Sequence, residues 1–282
     1  MKSTTSTPGR APVAGEAHVV LDRVAMAYGE REVFRDLSCS FPRGKISVVL
    51  GGSGSGKSTV LRLIAGLVHP TEGHILVDGN DIGTMRERDL FAVRRNVGMM
   101  FQHGALLDSM TVFDNVAFPL IEHSRLTRQQ VADEVHKTLS AVGLSNVDSL
   151  LPGELSGGML KRVALARALI QKPTIVLVDE AFSGLDSVSV KLIEALLVRV
   201  NRTLGMTMIS VSHHIPTTMR MADKVVLLLP DDVVQGTPEQ VTHHPNARVR
   251  RFFDEEIDDA ALALREGPSS DLGAGSRPGV RA

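Results

Sequence analysis

The sequence predicts an α/β fold in which helices cover both faces of a mainly parallel sheet. Continuous apolar runs, typical of strands buried on both sides, alternate along the chain with segments whose apolar residues recur at helical spacing. The run at residues 46–50 leads into a glycine-rich stretch at 51–56, and an amphipathic helix follows at 58–68. A strand, a glycine loop and a helix in that order are the setting of a phosphate-binding loop.

The other elements are predicted from the same two patterns. Thr127 and Gln130 form a capping box that opens a helix, and Gly143 ends it. Lys172 and Pro173 end a later helix before an apolar strand. We predict strands within residues 18–50 and at 74–77, 97–101, 174–178, 207–211, 225–229 and 233–234, and further helices at 127–143, 157–171 and 188–204.

Length and composition limit the possible classes of function. The 282 residues are enough for about two domains, or for one domain with an inserted lobe. A formal net charge of −1 gives no overall positive field for non-specific binding to nucleic acid. Cys39 is the single cysteine, so an intrachain disulfide is excluded and a buried strand position in a reducing compartment is predicted. No apolar run approaches the ~20 residues of a membrane-spanning helix.

The two ends of the chain differ in composition from the middle. Residues 1–17 are rich in Ser, Thr, Pro and Gly, which predicts a disordered tail rather than a secretory signal. Beyond Phe253 the chain is first acidic and then rich in Gly, Ser, Pro and Arg, which predicts partial disorder. A short helix at 254–264 is the alternative for the acidic stretch.

The glycine-rich stretch has the spacing of a P-loop. Its glycines allow backbone N–H groups to converge on phosphate oxygens, and the helix that begins there adds its positive end. In such a loop Lys57 reaches the β- and γ-phosphates, and the Ser58 hydroxyl binds Mg²⁺. The residues predicted to contact ATP here are Gly51, Gly52, Ser53, Gly54, Ser55, Gly56, Lys57, Ser58 and Thr59.

Two carboxylates follow the apolar run at residues 175–178. Asp179 and Glu180 would lie at the C-terminal end of a buried strand, where open α/β sheets bind their ligands. Asp179 then suits the Mg²⁺ shell, and Glu180 can align and deprotonate the attacking water. A strand that runs into a polar turn has the same appearance, so this interpretation depends on the P-loop.

A second glycine loop precedes the helix predicted at 157–171. Ser156 is followed by Gly157 and Gly158, and its hydroxyl could simply cap that helix. Alternatively, the loop is a second anion site at a helix N-terminus. The Leu-Ser-Gly-Gly sequence at 155–158, together with the P-loop and Asp179-Glu180, resembles the signature of ATP-binding cassette (ABC) ATPases.

The resemblance implies a fold and a division of the chain. It implies a RecA-like P-loop NTPase domain with an antiparallel β subdomain and an inserted helical subdomain. Residues 18–102 and 172–242 would form the ATP-binding core with the β subdomain, and 103–171 the helical signature subdomain. Residues 243–282 would form a partly disordered C-terminal extension, and residues 1–17 would be the disordered N-terminal tail.

The resemblance also implies roles for single residues. Tyr28 would stack on adenine, although an exposed turn tyrosine is the simpler alternative. Gln102 would touch metal or water, and His213 would contact the γ-phosphate. Asp186 would face a second copy of the chain, whose nucleotide would also meet Ser156, Gly157 and Gly158. The predicted catalytic residues are Glu180, His213, Gln102 and Lys57, and the predicted metal ligands are Ser58, Gln102 and Asp179.

Three segments narrow the resemblance to the ATPases of Mla/Mce lipid transport systems, namely residues 101–120, 154–162 and 246–252. This implies a dimer that closes on ATP and Mg²⁺ under permease subunits, with an Mce-domain lipid-binding protein as a further partner. The cargo would be phospholipid or another lipid. The chain would lie on the cytoplasmic face of the inner membrane, touch the membrane only through the permease and bind no nucleic acid.

Other functions remain as alternatives. An ABC importer or exporter for another small substrate would share every motif above. A soluble ABC ATPase that acts on DNA would need a long coiled coil, and one that acts on ribosomes normally has two cassettes. A P-loop GTPase would show an Asn-Lys-x-Asp motif, which this sequence lacks.

Overall fold

A six-stranded sheet lies at the centre of the computed structural model, which describes residues 17–254. Its strand order is β10-β9-β3-β8-β7-β6, and within the described residues β10 alone runs antiparallel to its neighbour. The mainly parallel sheet predicted from the sequence is confirmed. The strands are β1 (Ala17–Tyr28), β2 (Arg31–Pro42), β3 (Ile46–Gly51), β4 (Glu72–Val77), β5 (Asn80–Asp81), β6 (Val97–Met100), β7 (Ile175–Asp179), β8 (Thr207–Val211), β9 (Lys224–Leu229) and β10 (Asp232–Gly236).

Helices separate most of the parallel strands. They are α1 (Lys57–Ile64), α2 (Glu87–Arg94), α3 (Val112–His123), α4 (Arg128–Ala141), α5 (Gly157–Leu169), α6 (Ser187–Leu204), α7 (Ile215–Met221) and α8 (Pro238–Thr242). Residues 247–254 are helical as well. In the described part of the chain, no helix combines the length and the apolar character that crossing a bilayer requires.

A second, antiparallel sheet has the order β2-β1-β4-β5. Its first hairpin turns at Gly29, whose φ of +60° suits glycine. Cys39 is buried in β2 as predicted, and burial raises the pKa of its thiol to about 12. The antiparallel β region implied by the family resemblance is therefore present.

The central strands are buried on both faces. Val48 and Leu50 of β3 belong to one apolar core, whereas Val49 between them belongs to the other. The same alternation holds in β7, where Val176 faces the first core and Leu177 the second. This two-sided burial explains why these strands appear in the sequence as continuous apolar runs.

A buried histidine joins the two sheets. In β1, His18 Nδ1 lies 2.6 Å from Thr207 Oγ1 at the start of β8, and His18 Nε2 lies 3.2 Å from Asp78 Oδ2. Arg43 Nη1 also lies 3.2 Å from His18 Nε2 and pairs with Asp78. Burial lowers the pKa of His18, and the nearby Asp78 carboxylate only partly opposes this.

Several predicted boundaries need correction. The predicted tail at 1–17 is wrong at its last residue, because Ala17 is the first residue of β1. The helix predicted at 157–171 ends at Leu169, since Lys172 adopts a left-handed φ of +55° before Pro173. The rest of the predicted N-terminal tail, and the predicted C-terminal helix and disorder beyond residue 254, lie outside the described residues.

Candidate functional site

The P-loop joins β3 to α1 through a turn that requires glycine. Gly51 and Gly56 have φ values of +152° and +91°. A Cβ on Gly51 would lie 2.8 Å from the Leu228 carbonyl oxygen, and one on Gly56 would lie 2.6 Å from Val33 Cγ1. Because no side chain fits at either position, the backbone of the loop is fixed in a narrow curve whose open side faces the cleft described below.

Lys57 lies inside this curve as the first residue of α1. Its side chain is buried, and Nζ donates hydrogen bonds to the carbonyl oxygens of Gly51 at 2.8 Å and Gly52 at 2.9 Å. The ammonium and the N-terminus of α1 thus bring positive charge to the same place. This arrangement suits the phosphates of a nucleotide.

Ser58 and Asp179 meet across the ends of α1 and β7. Ser58 Oγ donates a hydrogen bond to Asp179 Oδ1 at 3.2 Å. Burial raises the pKa of Asp179, and the Ser58 hydroxyl and the positive charge of Arg62 oppose that rise. A hydroxyl and a carboxylate in contact are the oxygen ligands that Mg²⁺ prefers.

Glu180 and His213 are in contact beside the P-loop. Glu180 Oε1 lies 3.1 Å from His213 Nε2, and the Glu180 side chain is 14% exposed. Burial raises the pKa of Glu180, while His213 and Lys57 lower it by a smaller amount. The backbone of Glu180 is held at a φ of +51°, with its N–H donating to the Val211 carbonyl at 3.1 Å.

Lys57, Ser58, Glu180 and His213 line one open cleft of about 890 Å³, whereas Asp179 contacts Ser58 but does not itself line the cleft. Tyr28 lines this cleft and is 43% exposed. Gly51, Gly52 and Ser55 shape the loop without lining the cleft. Of the residues predicted from the sequence, the cleft is lined by Tyr28, Ser53, Gly54, Gly56, Lys57, Ser58, Thr59, Gln102, Glu180 and His213.

The predicted signature residues lie outside this cleft. Ser156 caps α5 by accepting a hydrogen bond from the Met159 N–H at 3.3 Å. A Cβ on Gly157 would lie 3.5 Å from Leu185, so the signature loop packs beside the segment before α6. Asp186 caps α6 by accepting hydrogen bonds from the Val188 and Ser189 N–H groups at 2.9 and 3.0 Å. The Ser189 hydroxyl, which also donates to this carboxylate, and the backbone N–H groups lower the pKa of Asp186. Within one chain the structure does not bring these residues to the P-loop.

Two arginines that line the cleft were not predicted from the sequence. Arg62 follows Ser58 by four positions, so both lie on one face of α1, and this spacing was available as a signal. Arg31 lines the cleft from the start of β2, three residues after Tyr28. No spacing rule indicated Arg31, because its position depends on how the antiparallel sheet packs against the P-loop.

A family model described as ABC transporter matches residues 34–183, a span that contains the P-loop, Gln102, the Ser156 loop and Glu180. The chain belongs to the ABC transporter family. It is 40% identical over 257 residues to the intermembrane phospholipid transport system ATP-binding protein MlaF of Escherichia coli K12, covering 91% of this chain and 95% of that protein. It is 35% identical over 256 residues to the probable ribonucleotide transport ATP-binding protein mkl of Mycobacterium tuberculosis H37Rv, covering 87% and 71%.

Solved ABC cassettes share the fold. The dimeric post-hydrolysis structure of the cassette MJ0796 bound to ADP and Pi is 30% identical, with a TM-score of 0.71 over 78% of this chain and 98% of that one. The cassette cbiO1 from Clostridium perfringens, part of the ABC transporter complex cbiONQ, is 26% identical, with a TM-score of 0.75 over 89% and 99%. This ABC transporter chain is therefore an ATP-binding and ATP-hydrolysing subunit.

Proposed function

We propose that Glu180 is the general base of ATP hydrolysis and that His213 fixes its orientation. The observation that supports this most is the 3.1 Å contact between Glu180 Oε1 and His213 Nε2, in the same cleft as Lys57. Burial raises the pKa of Glu180 towards the range in which a carboxylate accepts a proton from water most usefully. Tyr28 would stack on the base, and the P-loop would surround the phosphates.

We propose that Mg²⁺ accompanies ATP and that Ser58, Asp179 and Gln102 would hold it. The residues suit this ion, because Ser58 and Asp179 already share a hydrogen bond and so offer two oxygen ligands side by side. Burial raises the pKa of Asp179, and a bound cation would stabilise its ionised carboxylate. When bound, the ion supplies positive charge that neutralises phosphate oxygens.

We propose that a second copy of the chain completes each ATP site. Ser156, Gly157, Gly158 and Asp186 lie outside the cleft of their own chain. Ser156 begins α5, whose N-terminus favours an anion, whereas the N-terminus of α6 is already capped by the Asp186 carboxylate. A sandwich of two copies would place these residues on the partner's nucleotide. The dimeric cassette MJ0796 bound to ADP and Pi supports this arrangement for a related fold.

We propose that permease subunits dock on the helical segment at 103–171. Leu107, Phe118 and Ile121 are exposed on and next to α3 at 43%, 40% and 60%. Leu106 and Phe113 are partly buried and pack against the core, so they contribute less to an exposed docking surface. The docking would hold the chain at the cytoplasmic face of the inner membrane, and these exposed apolar side chains would carry the contact.

We propose phospholipid as the cargo of the assembled transporter, with an Mce-domain protein as a further subunit. The similarity to MlaF supports this choice, because the two chains are 40% identical and the alignment covers 95% of MlaF. Ribonucleotide is the second candidate, supported by the likeness to mkl at 35% identity and 71% coverage.

A mixing experiment tests the shared site. Ser156→Arg and Lys57→Ala should each abolish ATPase activity, while Ser156→Arg should still bind a fluorescent ATP analogue as a single chain. A mixture of the two variants should recover part of the activity, because a mixed dimer contains one site with intact Lys57 and intact Ser156. Without recovery, or with lost binding in Ser156→Arg, the site would belong to one chain.

A transport experiment tests the cargo. The chain and its permease would be reconstituted in liposomes, with ATP and a fluorescent phospholipid, and labelled ribonucleotide would be supplied in parallel. ATP-dependent movement of the phospholipid, absent in Glu180→Gln, is the expected result. Movement of ribonucleotide alone would favour the second candidate instead.

A further inference from the structure

Lys161 is a buried lysine for which neither the P-loop nor the signature provides a role. It lies on α5, and 5% of its surface is exposed. Its Nζ donates one hydrogen bond to the carbonyl oxygen of Gln102 and another, at 3.1 Å, to the carbonyl oxygen of Glu180. Both acceptors are backbone atoms, so the ammonium contacts the main chain of two proposed site residues rather than their side chains.

The two acceptors lie at the ends of neighbouring parallel strands. Met100 at the end of β6 pairs with Val178 of β7, and Gln102 and Glu180 each follow two residues later. The pairing of β6 with β7 ends at Met100 and Val178, so Gln102 and Glu180 lie beyond the ladder that joins these two strands. Lys161 therefore ties together two segments that could otherwise move independently.

Glu180 needs such support because its backbone is strained. A φ of +51° is in the left-handed region, which is unfavourable for a residue with a side chain. Its N–H is held by the Val211 carbonyl at 3.1 Å. Its carbonyl accepts from Ser183 N–H at 3.3 Å and from Lys161 at 3.1 Å, and the shorter of these contacts carries a positive charge.

We infer that Lys161 is a positioning residue that fixes the backbone of Glu180 and Gln102, and thereby aims the Glu180 carboxylate at the attacking water. Lys161 lies five residues after Ser156 on the same helix. A shift of α5 when Ser156 meets a partner's nucleotide would therefore reach Glu180 directly. The inference rests on the proposed role of Glu180 as base.

An isosteric change separates this role from simple packing. Lys161→Met keeps most of the buried side-chain volume and removes the ammonium. The change leaves the P-loop intact, so ATP affinity and KM should stay within about twofold of wild type. The value of kcat should fall by about 10- to 100-fold, because misplacing a catalytic group by about 1 Å has effects of that size. Lys172→Met, at an exposed lysine just after α5, is the matched control and should keep wild-type kcat.

The experiment uses the full chain assembled with its permease and measures kcat, KM and nucleotide affinity. A cycle with Glu180→Gln completes it. If Lys161 acts through Glu180, the double variant Lys161→Met/Glu180→Gln should hydrolyse ATP less than threefold more slowly than Glu180→Gln alone. The rate of Lys57→Ala is subtracted from both as the background.

Three results would overturn the inference: wild-type kcat in Lys161→Met, a tenfold loss of nucleotide affinity in that variant, or full additivity with Glu180→Gln. Wild-type turnover in Glu180→Gln itself would instead refute the proposed base. The two failures are therefore distinguishable.

Discussion

Replacing Glu180 by Gln removes one charge from the cleft and leaves the shape of the side chain unchanged. A positioned general base contributes about 10²- to 10⁴-fold to a rate, which at 1.36 kcal/mol per tenfold is about 2.7–5.4 kcal/mol of barrier. We expect kcat to fall by that factor. The Gln side chain keeps an oxygen that can accept a hydrogen bond from His213, so the backbone at position 180 should not move.

The same change should not destabilise the nucleotide-free chain. The folded-state pKa of Glu180 is raised above its ordinary value of 4.5, so folding favours the protonated form. The associated stability is present below pH 4.5 and is lost as pH rises through the folded-state pKa. At neutral pH the ionised Glu180 therefore opposes folding, and an uncharged Gln relieves this. For the same reason, wild-type hydrolysis should decline on acidification at a pH above 4.5.

The assay combines steady-state ATPase rates across pH with thermal unfolding in the absence of nucleotide. Glu134→Gln, which loses a surface carboxylate paired with Lys172, is the matched control and should keep wild-type activity. Wild-type turnover in Glu180→Gln would refute the assignment of the base. A Tm well below wild type would show instead that the variant loses activity through its fold.

Three further predictions concern the loop and the interface between the sheets. Gly56→Ala should lower the free energy of unfolding, measured by urea titration, by about 1–3 kcal/mol, because φ is +91° and the new Cβ would overlap Val33. Gly52→Ala is the control and should be near neutral, because the space around Gly52 is open. Lys57→Ala should weaken ATP binding by about 2 kcal/mol or more, roughly 30-fold, in fluorescence titrations; unchanged affinity would contradict the role given to the ammonium. Because folding lowers the pKa of His18 below 6.5, the free energy of unfolding should be highest above pH 6.5 and should decrease as pH falls below that value. Urea unfolding at a series of pH values should show this decrease in the wild type but not in His18→Gln.

The local elements of the fold could be predicted because their causes are local. The run at 46–50 became β3 with one added residue, and the capping box at Thr127 opened α4 as expected. Helix α3 was missed as an element, since Pro119 inside it obscures the pattern, although Thr111 accepts a hydrogen bond from the Asp114 N–H as a readable cap. The pairing of β1 with β4 joins segments that lie far apart in the chain, and no period-2 pattern specifies such a partner.

The site was predictable to the extent that motif residues face one cleft. Lys57 and Ser58 lie where the strand–loop–helix order placed them, and Glu180 lies at the end of the strand predicted before it. The left-handed backbone of Glu180 and the burial of Lys161 were not predictable, because both depend on contacts across β6, β7 and α5. In the sequence Lys161 is one more polar residue on a helix.

The placement of the signature residues bears on how readily two copies would close on ATP. Ser156 and Asp186 are already tied to the helices that they begin, and the Asp186 carboxylate accepts from Val188 N–H, Ser189 N–H and the Ser189 hydroxyl. Groups fixed in this way lose little further conformational freedom on association, so more of the contact energy remains as affinity. On the proposed two-copy arrangement, each chain thus presents to its partner a preformed anion site at the start of α5, with the Asp186 carboxylate already fixed at the start of α6. The ATP dependence of dimerisation would then come from the charge of the nucleotide rather than from ordering of the signature loop.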